Sequence, residues 1–341
     1  MTETTSPYAG ETGDTLPDDI ADVVVIGGGA AGLNGALMLA RSRRSVVVID
    51  AGTPRNAPAE AMHGFIVLDG TPPQEILRRG REQVRQYGGS IVFGEVAAAD
   101  PADPSADGDP RFAVTLADGR SITARRLLVA TGLRDVLPEI PGLAEHWGHG
   151  VVHCPYCHGW EVRDRPIGVL ATGPASVHHA LLFRQLTEDL TYFTHGTLPD
   201  GDTRTRFEAR GIRIVDTPVR EVVTDDGGAL AGVRLTDGSV VTRSVLAVAT
   251  RMQARTGGLD GLKLPMEDLP DTMGRRFASG TAGTTDVPGV WVAGNATDLS
   301  AQVGASAAAG ALAGSHINAV LAVADTEAAI ATAVRGATPV P

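Results

Sequence analysis

Two cysteines are all that 341 residues contain, and Lys263 is the only lysine among 29 basic side chains. One cysteine pair rules out a scaffold of structural disulfides. The lysine shortage, beside 42 glycines and abundant alanine, reflects codon composition and carries no chemical message. Positive charge is lacking as well. A formal net charge of −11 argues against a nucleic-acid-binding surface, because phosphate contacts need basic patches. About half of that excess comes from Met1–Asp19, which holds Glu3, Glu11, Asp14, Asp18 and Asp19 and no base. Residues 1–21 therefore read as a disordered acidic tail with too little apolar content to fold. The basic start and apolar stretch of a signal peptide are missing, and no apolar run reads as membrane-spanning. These absences predict a soluble, cytoplasmic protein with no membrane or nucleic-acid partner, its thiols facing a reducing pool.

What remains is α/β in character, with length for two domains. Val23–Ile26 is a β-branched run ending in glycines, Leu33–Arg43 has helical character, and Ser45–Asp50 is a second buried strand. Strand, glycine turn, helix and strand make a unit that builds parallel sheets. Ser90–Ala130 reads as a meander with Asp118-Gly119 as its hairpin turn. An internal repeat organises the rest: Val114–Gly132 aligns without gaps with Val233–Arg251 and matches at 9 of 19 positions. A second strand-turn-helix start, Ile167–Ser176, precedes the second copy. The chain thus reads as two Rossmann-like dinucleotide-binding domains, followed by a strand and an Ala/Gly-rich helix ending near Leu321.

Gly27-x-Gly29-x-x-Gly32 lies between the first strand and helix. Its first glycine permits the tight turn, the second lets backbone approach a pyrophosphate, and the third allows close helix–sheet packing. Asp50 ends the next strand 18 residues after Gly32, where it can bond a ribose hydroxyl.

The cysteines stand as Cys154-Pro155-Tyr156-Cys157-His158. Four chemistries use such a pair. A zinc site could recruit His153 and His158, yet no second ligand pair stands at suitable spacing. Haem attachment also uses Cys-x-x-Cys-His. A glutaredoxin-like module uses Cys-Pro-Tyr-Cys, near the start of a small fold. The fourth is a redox dithiol working against a bound flavin. Redox exchange needs a thiolate, and a Cys-x-x-Cys setting brings a thiol well below its free pKa of about 8.5. His158 is the candidate proton carrier, with an ordinary pKa of about 6.5. His63 and His178-His179 have no motif support.

Together these residues resemble the low-molecular-weight thioredoxin reductase family of FAD flavoproteins. The likeness spans about Asp22–Leu321 and rests on Gly27–Gly32, Ala130-Thr131-Gly132, the cysteine pair, and Gly289–Gly294. It implies an FAD domain split into residues 22–134 and 253–321, an inserted NAD(P)-type domain at 135–252, and a C-terminal tail at 322–341. It implies FAD contacts from Gly27, Gly29, Ala30, Ala31, Gly32, Asp50, Val96, Ala130, Thr131, Gly132, Gly294, Asn295, Gln302 and Val303. Cys157 would face the flavin, Cys154 would meet the substrate, and the assembly would be a homodimer. Asn295 and His158 replace the aspartates that the family usually carries at those places.

The insert departs from the pattern. Ala171-Thr172-Gly173-Pro174-Ala175-Ser176 loses the first glycine of a nucleotide turn, and Thr194-His195-Gly196 stands where the family has arginines for NADPH. Such arginines supply the charge-assisted clamp on a 2′-phosphate, so NAD(P)H is doubtful, with Arg204 and Arg206 as the remaining candidates. This erosion, with Cys157–Trp160, resembles the gliotoxin- and holomycin-type dithiol oxidase branch. That branch implies a small dithiol substrate and oxygen as acceptor. The alternative is NAD(P)H-dependent reduction of thioredoxin or a small disulfide.

Overall fold

The computed structural model describes residues 11–105 and 108–336. β1 (Ala21–Ile26) runs through the glycine turn into α1 (Ala30–Arg41), which returns to β2 (Val46–Asp50). α2 (Pro73–Gln86) then leads to β3 (Ser90–Phe93). β1 and β2 are almost wholly buried, as expected for strands of a parallel sheet covered on both faces. The register aligns Val24 with Val47 and Val25 with Leu128.

β4 (Val96–Ala102), β5 (Arg111–Leu116) and β6 (Ser121–Val129) form an antiparallel ribbon, turned at Gly119 with φ +88°. β6 joins the parallel and antiparallel parts of one seven-stranded sheet. Its start alternates exposed and buried, and its end, Arg126–Val129, is buried throughout where it enters the parallel sheet. The meander expected over Ser90–Ala130 is therefore corrected at its start. β3 pairs parallel with β2 and belongs to the other edge. A parallel edge strand and a meander strand carry the same short apolar run, so the pattern could not separate them.

β7 (Leu133–Val136) leads to β8 (Val151–Val152), α3 (Pro155–His158), β9 (Ile167–Leu170), α4 (Ala175–Phe183), β10 (Leu190–Phe193), α5 (Gly201–Ala209) and β11 (Arg213–Val215). β9, α4 and β10 are the second βαβ unit, with β9 and β10 paired in parallel. β12 (Val219–Thr224), β13 (Leu230–Leu235) and β14 (Val240–Thr242) form a separate antiparallel ribbon, and β15 (Val245–Val248) enters the sheet beside β9. The two repeat copies thus share a plan. In the second copy the long strand is broken into β14 and β15.

β16 (Arg251–Ala254) pairs antiparallel with β7, and β17 (Met266–Leu269) and β18 (Gly274–Phe277) complete that sheet. β19 (Val290–Val292) returns to the first sheet beside β6, and α6 (Val303–Gly336) closes the chain. Val23 and Val25 face a core with Leu39, Ala313 and Ile317, while Val24 and Ile26 face Leu127, Val129 and Phe277. α6 lies on α1 at backbone distance. A Cβ on Gly310 would come within 1.9 Å of the Ala31 carbonyl oxygen.

Three readings of the ends are corrected. Residues 11–14 are not a free acidic segment. Arg81 Nε donates to Glu11 at 2.9 Å, Arg85 Nε donates to Asp14 at 2.9 Å, and the Asp14 and Ile91 backbones are joined at 2.7 Å. Residues 1–10 lie outside the described residues. At the other end the helix continues past Leu321 to Gly336, held by Asp325 against Arg44 and Arg125, at 2.6 and 2.7 Å. Residues 337–341 of the expected tail are outside the described residues too. Finally, Val303–Val334 is long and apolar enough to cross a membrane by length and composition, contrary to the sequence reading. In this fold its buried side chains Ala313, Ile317 and Leu321 pack in the core with α1.

Candidate active site

The cysteine pair sits where β8 ends and one helical turn begins. Pro155 opens that turn with its fixed φ, and Cys154 is the residue just before it. The Cys157 and His158 N–H groups both donate to the Cys154 carbonyl at 3.2 Å. This geometry sets the two Cα atoms 5.2 Å apart, joined by a disulfide. Gly159 is forced by the turn. A Cβ there would lie 2.1 Å from the Pro155 oxygen. Both cysteines are half-buried, Tyr156 is exposed, and Trp160 points away under the Arg163 guanidinium, 4.0 Å from its ring centre.

The disulfide forms one wall of a cleft of about 600 Å³. Gly27, Gly29, Ala30, Ala31 and Asp50 line its far end, and Val96, Ala130, Thr131 and Gly132 border it from the sheet. Asn295, Gln302 and Val303 close it beside Cys154, Cys157 and His158. Gly32 and Gly294 stand behind this lining. A Cβ on Gly32 would meet the Gly27 oxygen at 1.8 Å, and one on Gly294 would meet the Ala31 Cβ at 2.7 Å. Their service is close packing under the turn.

This cradle fits a dinucleotide. Gly28 is pressed against the Asp50 carboxylate, whereas a Cβ on Gly29 would meet nothing within 4 Å, so backbone there is open to the cleft. α1 has no side-chain cap and no acidic residue in its first turn, leaving its N–H groups and positive dipole end to an anion. Ser306 Oγ, also on the cleft, is buried with no hydrogen-bond partner among the described residues. Asn295 Nδ2 donates to the Asp298 and Ala301 carbonyls at 3.0 and 2.7 Å, which fixes the loop leading to Gln302.

His158 is the unusual group. Neither of its buried ring nitrogens has a hydrogen-bond partner among the described residues. Burial lowers its pKa below the ordinary 6.5. Glu161 pulls the other way, and His63 and His153 add to the lowering. The imidazole is therefore neutral at pH 7 and ready to take a proton.

Behind the dithiol, His153 Nδ1 donates to the Val248 carbonyl at 3.0 Å, and burial lowers its pKa as well. His179 Nε2 is bonded to the His153 carbonyl, and burial pushes its pKa down to about 4. Asp135 is buried beneath Arg55, whose Nε and Nη2 each donate at 2.7 Å, and accepts from Thr250 Oγ1 at 2.6 Å. Burial alone would raise the Asp135 carboxyl. The Arg55 guanidinium outweighs that, and the carboxyl stays below its usual range.

Sequence reasoning missed Arg55, Arg255, Ser306 and His63, all of which line the cleft. His63 arrives on a loop whose base is tied by Met62 and Thr71 and whose Phe65 lies against Gly304. No spacing rule could join these residues to the cysteines.

A second cavity of about 380 Å³ lies at the ends of β9 and β15, lined by Thr172, Gly173, His178, His179 and Arg251. This is where a nucleotide would sit on the second βαβ unit. The polar groups in and around it are engaged only in part, since His179 Nδ1 on its lining is buried with no hydrogen-bond partner among the described residues. Thr172 N–H donates to Ser176 Oγ at 3.0 Å. Thr194 is fully buried and donates to the Asp216 carbonyl, and His195 Nδ1 accepts from Val219 N–H at 3.2 Å. Arg204 faces Asp216 at 3.5 Å and Arg206 pairs with Asp202 at 2.6 Å.

Comparison with known proteins agrees with this geometry. Residues 21–314 match the family described as Pyridine nucleotide-disulphide oxidoreductase. The chain is 34% identical over 256 residues to "Thioredoxin reductase tcpT" of Claviceps purpurea (strain 20.1), covering 72% of this chain and 78% of that protein. It is 31% identical over 313 residues to "Thioredoxin reductase sirT" of Leptosphaeria maculans, covering 88% and 94%. The solved structure of HlmI superposes with a TM-score of 0.87 at 43% identity, covering 96% of this chain and all of that one.

Proposed function

We propose that this chain, which belongs to the pyridine nucleotide-disulphide oxidoreductase family of FAD-binding thiol–disulfide oxidoreductases, closes a disulfide in a small dithiol with oxygen as final acceptor. The observation that carries this reading is the contrast between the two nucleotide sites. The first keeps an open glycine turn in the same cleft as the cysteine pair. At the second, Thr194 is buried and His195 accepts from backbone in two of the arginine places, and Arg204 and Arg206 face carboxylates. Similarity to proteins named thioredoxin reductase supports thiol–disulfide chemistry in either direction.

On this reading, residues 22–134 and 253–321 hold FAD and 135–252 present the dithiol to it. One substrate thiol loses its proton to His158 and attacks Cys154 Sγ, breaking the Cys154–Cys157 bond. Cys157 leaves as a thiolate. The second substrate thiol then attacks the substrate sulfur of the mixed disulfide, its proton passing to the departing Cys154, so the substrate is oxidised by two electrons and the enzyme pair is reduced by two. When bound, FAD supplies the two-electron link between those thiols and oxygen. The net reaction consumes one dithiol and one oxygen and yields one disulfide and one hydrogen peroxide. Exposed Tyr156, Ile66 and Val67 offer apolar surface for a small hydrophobic substrate. A homodimer in the cytoplasm is part of the same proposal.

An oxygen electrode tests it. Purified holoenzyme with dithiothreitol should consume oxygen and release equimolar peroxide. Failure to consume oxygen with any dithiol, with NADPH-driven disulfide reduction in its place, would establish the reductase.

A further inference from the structure

We propose that His63 is a proton-relay residue, passing protons between His158 and solvent through Glu161 and Asp69. Neither buried ring nitrogen of His158 has a hydrogen-bond partner among the described residues, so a proton taken from substrate must leave that ring across the cleft. His63 shares the cleft with it. His63 Nε2 lies 3.5 Å from Glu161 Oε1, and Nδ1 lies 3.4 Å from Asp69 Oδ2. Both spans exceed an ideal hydrogen bond, as catalytic contacts often do before substrate is present.

The flanking groups are set for transfer. Gly64 N–H donates to the other Asp69 oxygen at 2.8 Å, which orients that carboxylate toward the ring. Glu161 follows His158 by three residues and has 42% of its side chain exposed, so it meets bulk water. His63 itself is 24% exposed, intermediate in exposure between the buried imidazole nitrogens and the exposed carboxylates. The titratable groups that act on His158 are Glu161, His63 and His153. His153 donates to the Val248 carbonyl from behind the dithiol, which leaves His63 and Glu161 as the outward pair.

The need for a relay rests on the dithiol chemistry proposed above. Two protons leave the substrate thiols in one half-reaction and two reach oxygen in the other, so protons must cross the cleft wall between them. Dithiothreitol attacks the Cys154–Cys157 disulfide whichever way electrons normally flow, so the relay can be tested apart from the oxidase reading.

Anaerobic rapid mixing of flavin-loaded His63→Ala with dithiothreitol is the experiment, followed by flavin bleaching in dilute buffer and again with added imidazole. The expected result is a loss of about 10²-fold, the low end for acid–base groups, restored toward wild type by imidazole. Glu161→Gln, at an exposed position, should lower the same rate in dilute buffer with flavin retained. Wild-type rates in both variants, or a loss in His63→Ala that imidazole leaves unchanged, would overturn the relay. Neither result touches the oxidase reading, which stands or falls on the response to oxygen and NADPH.

Discussion

Replacing His158 with phenylalanine should move activity and stability in opposite directions. An imidazole buried with unpartnered nitrogens carries a desolvation cost of roughly 1–3 kcal/mol per unsatisfied group. A phenyl ring fills the same space with no polar atom, at an overpacking cost of about 1 kcal/mol. The net expectation is a denaturation midpoint equal to or above wild type. Turnover with dithiothreitol should fall by roughly 10²–10⁴-fold, because the acceptor of the thiol proton is gone. The pH profile gives a further readout. The His158 pKa is lowered by burial, so wild-type activity should hold through pH 7 and decline only on the acid side of the ordinary imidazole range, where the ring becomes protonated. The variant should lack that limb. Thermal denaturation beside a pH–rate series checks all three. A variant that unfolds early while retaining turnover would refute the reasoning, since His158 would then be a packing residue.

Cys154→Ser should keep flavin, because the cradle is built from other residues, and should lose dithiol turnover. Full activity in that variant would assign the exchange thiol elsewhere. His179 makes stability pH-dependent in a definite sense. Its folded pKa is about 4 against an ordinary 6.5, so between those values the unfolded chain binds more protons and stability falls as pH falls. The loss is complete near pH 4 and amounts to roughly 3 kcal/mol. His179→Gln, which keeps a donor for the His153 carbonyl, should flatten denaturation midpoints between pH 6.5 and 4. An unchanged slope would place the acid sensitivity in another group.

The glycine cradle and the cysteine pair were legible because their chemistry is local. Gly27, Gly32 and Asp50 lie within one βαβ unit, and Cys154 and Cys157 within one helical turn. His63, Arg55 and Arg255 were not, because loops far apart in the chain bring them to the cleft. The ends were misread for an electrostatic reason. Glu11 and Asp14 have no base nearby in sequence, but α2 brings Arg81 and Arg85 beneath them. Asp325 falls in the stretch expected to be a C-terminal tail, whereas Arg44 and Arg125 hold it against the first sheet. Carboxylates without local partners signal a tail only if the fold supplies no distant ones.

The most direct test of the central claim is anaerobic mixing of the holoenzyme with NADPH, and separately with dithiothreitol, while flavin absorbance is followed. Bleaching by the dithiol alone, with colour restored on admitting air, is the expected result. Rapid bleaching by NADPH would mean that the second nucleotide site works without its arginines, and would make this protein a reductase.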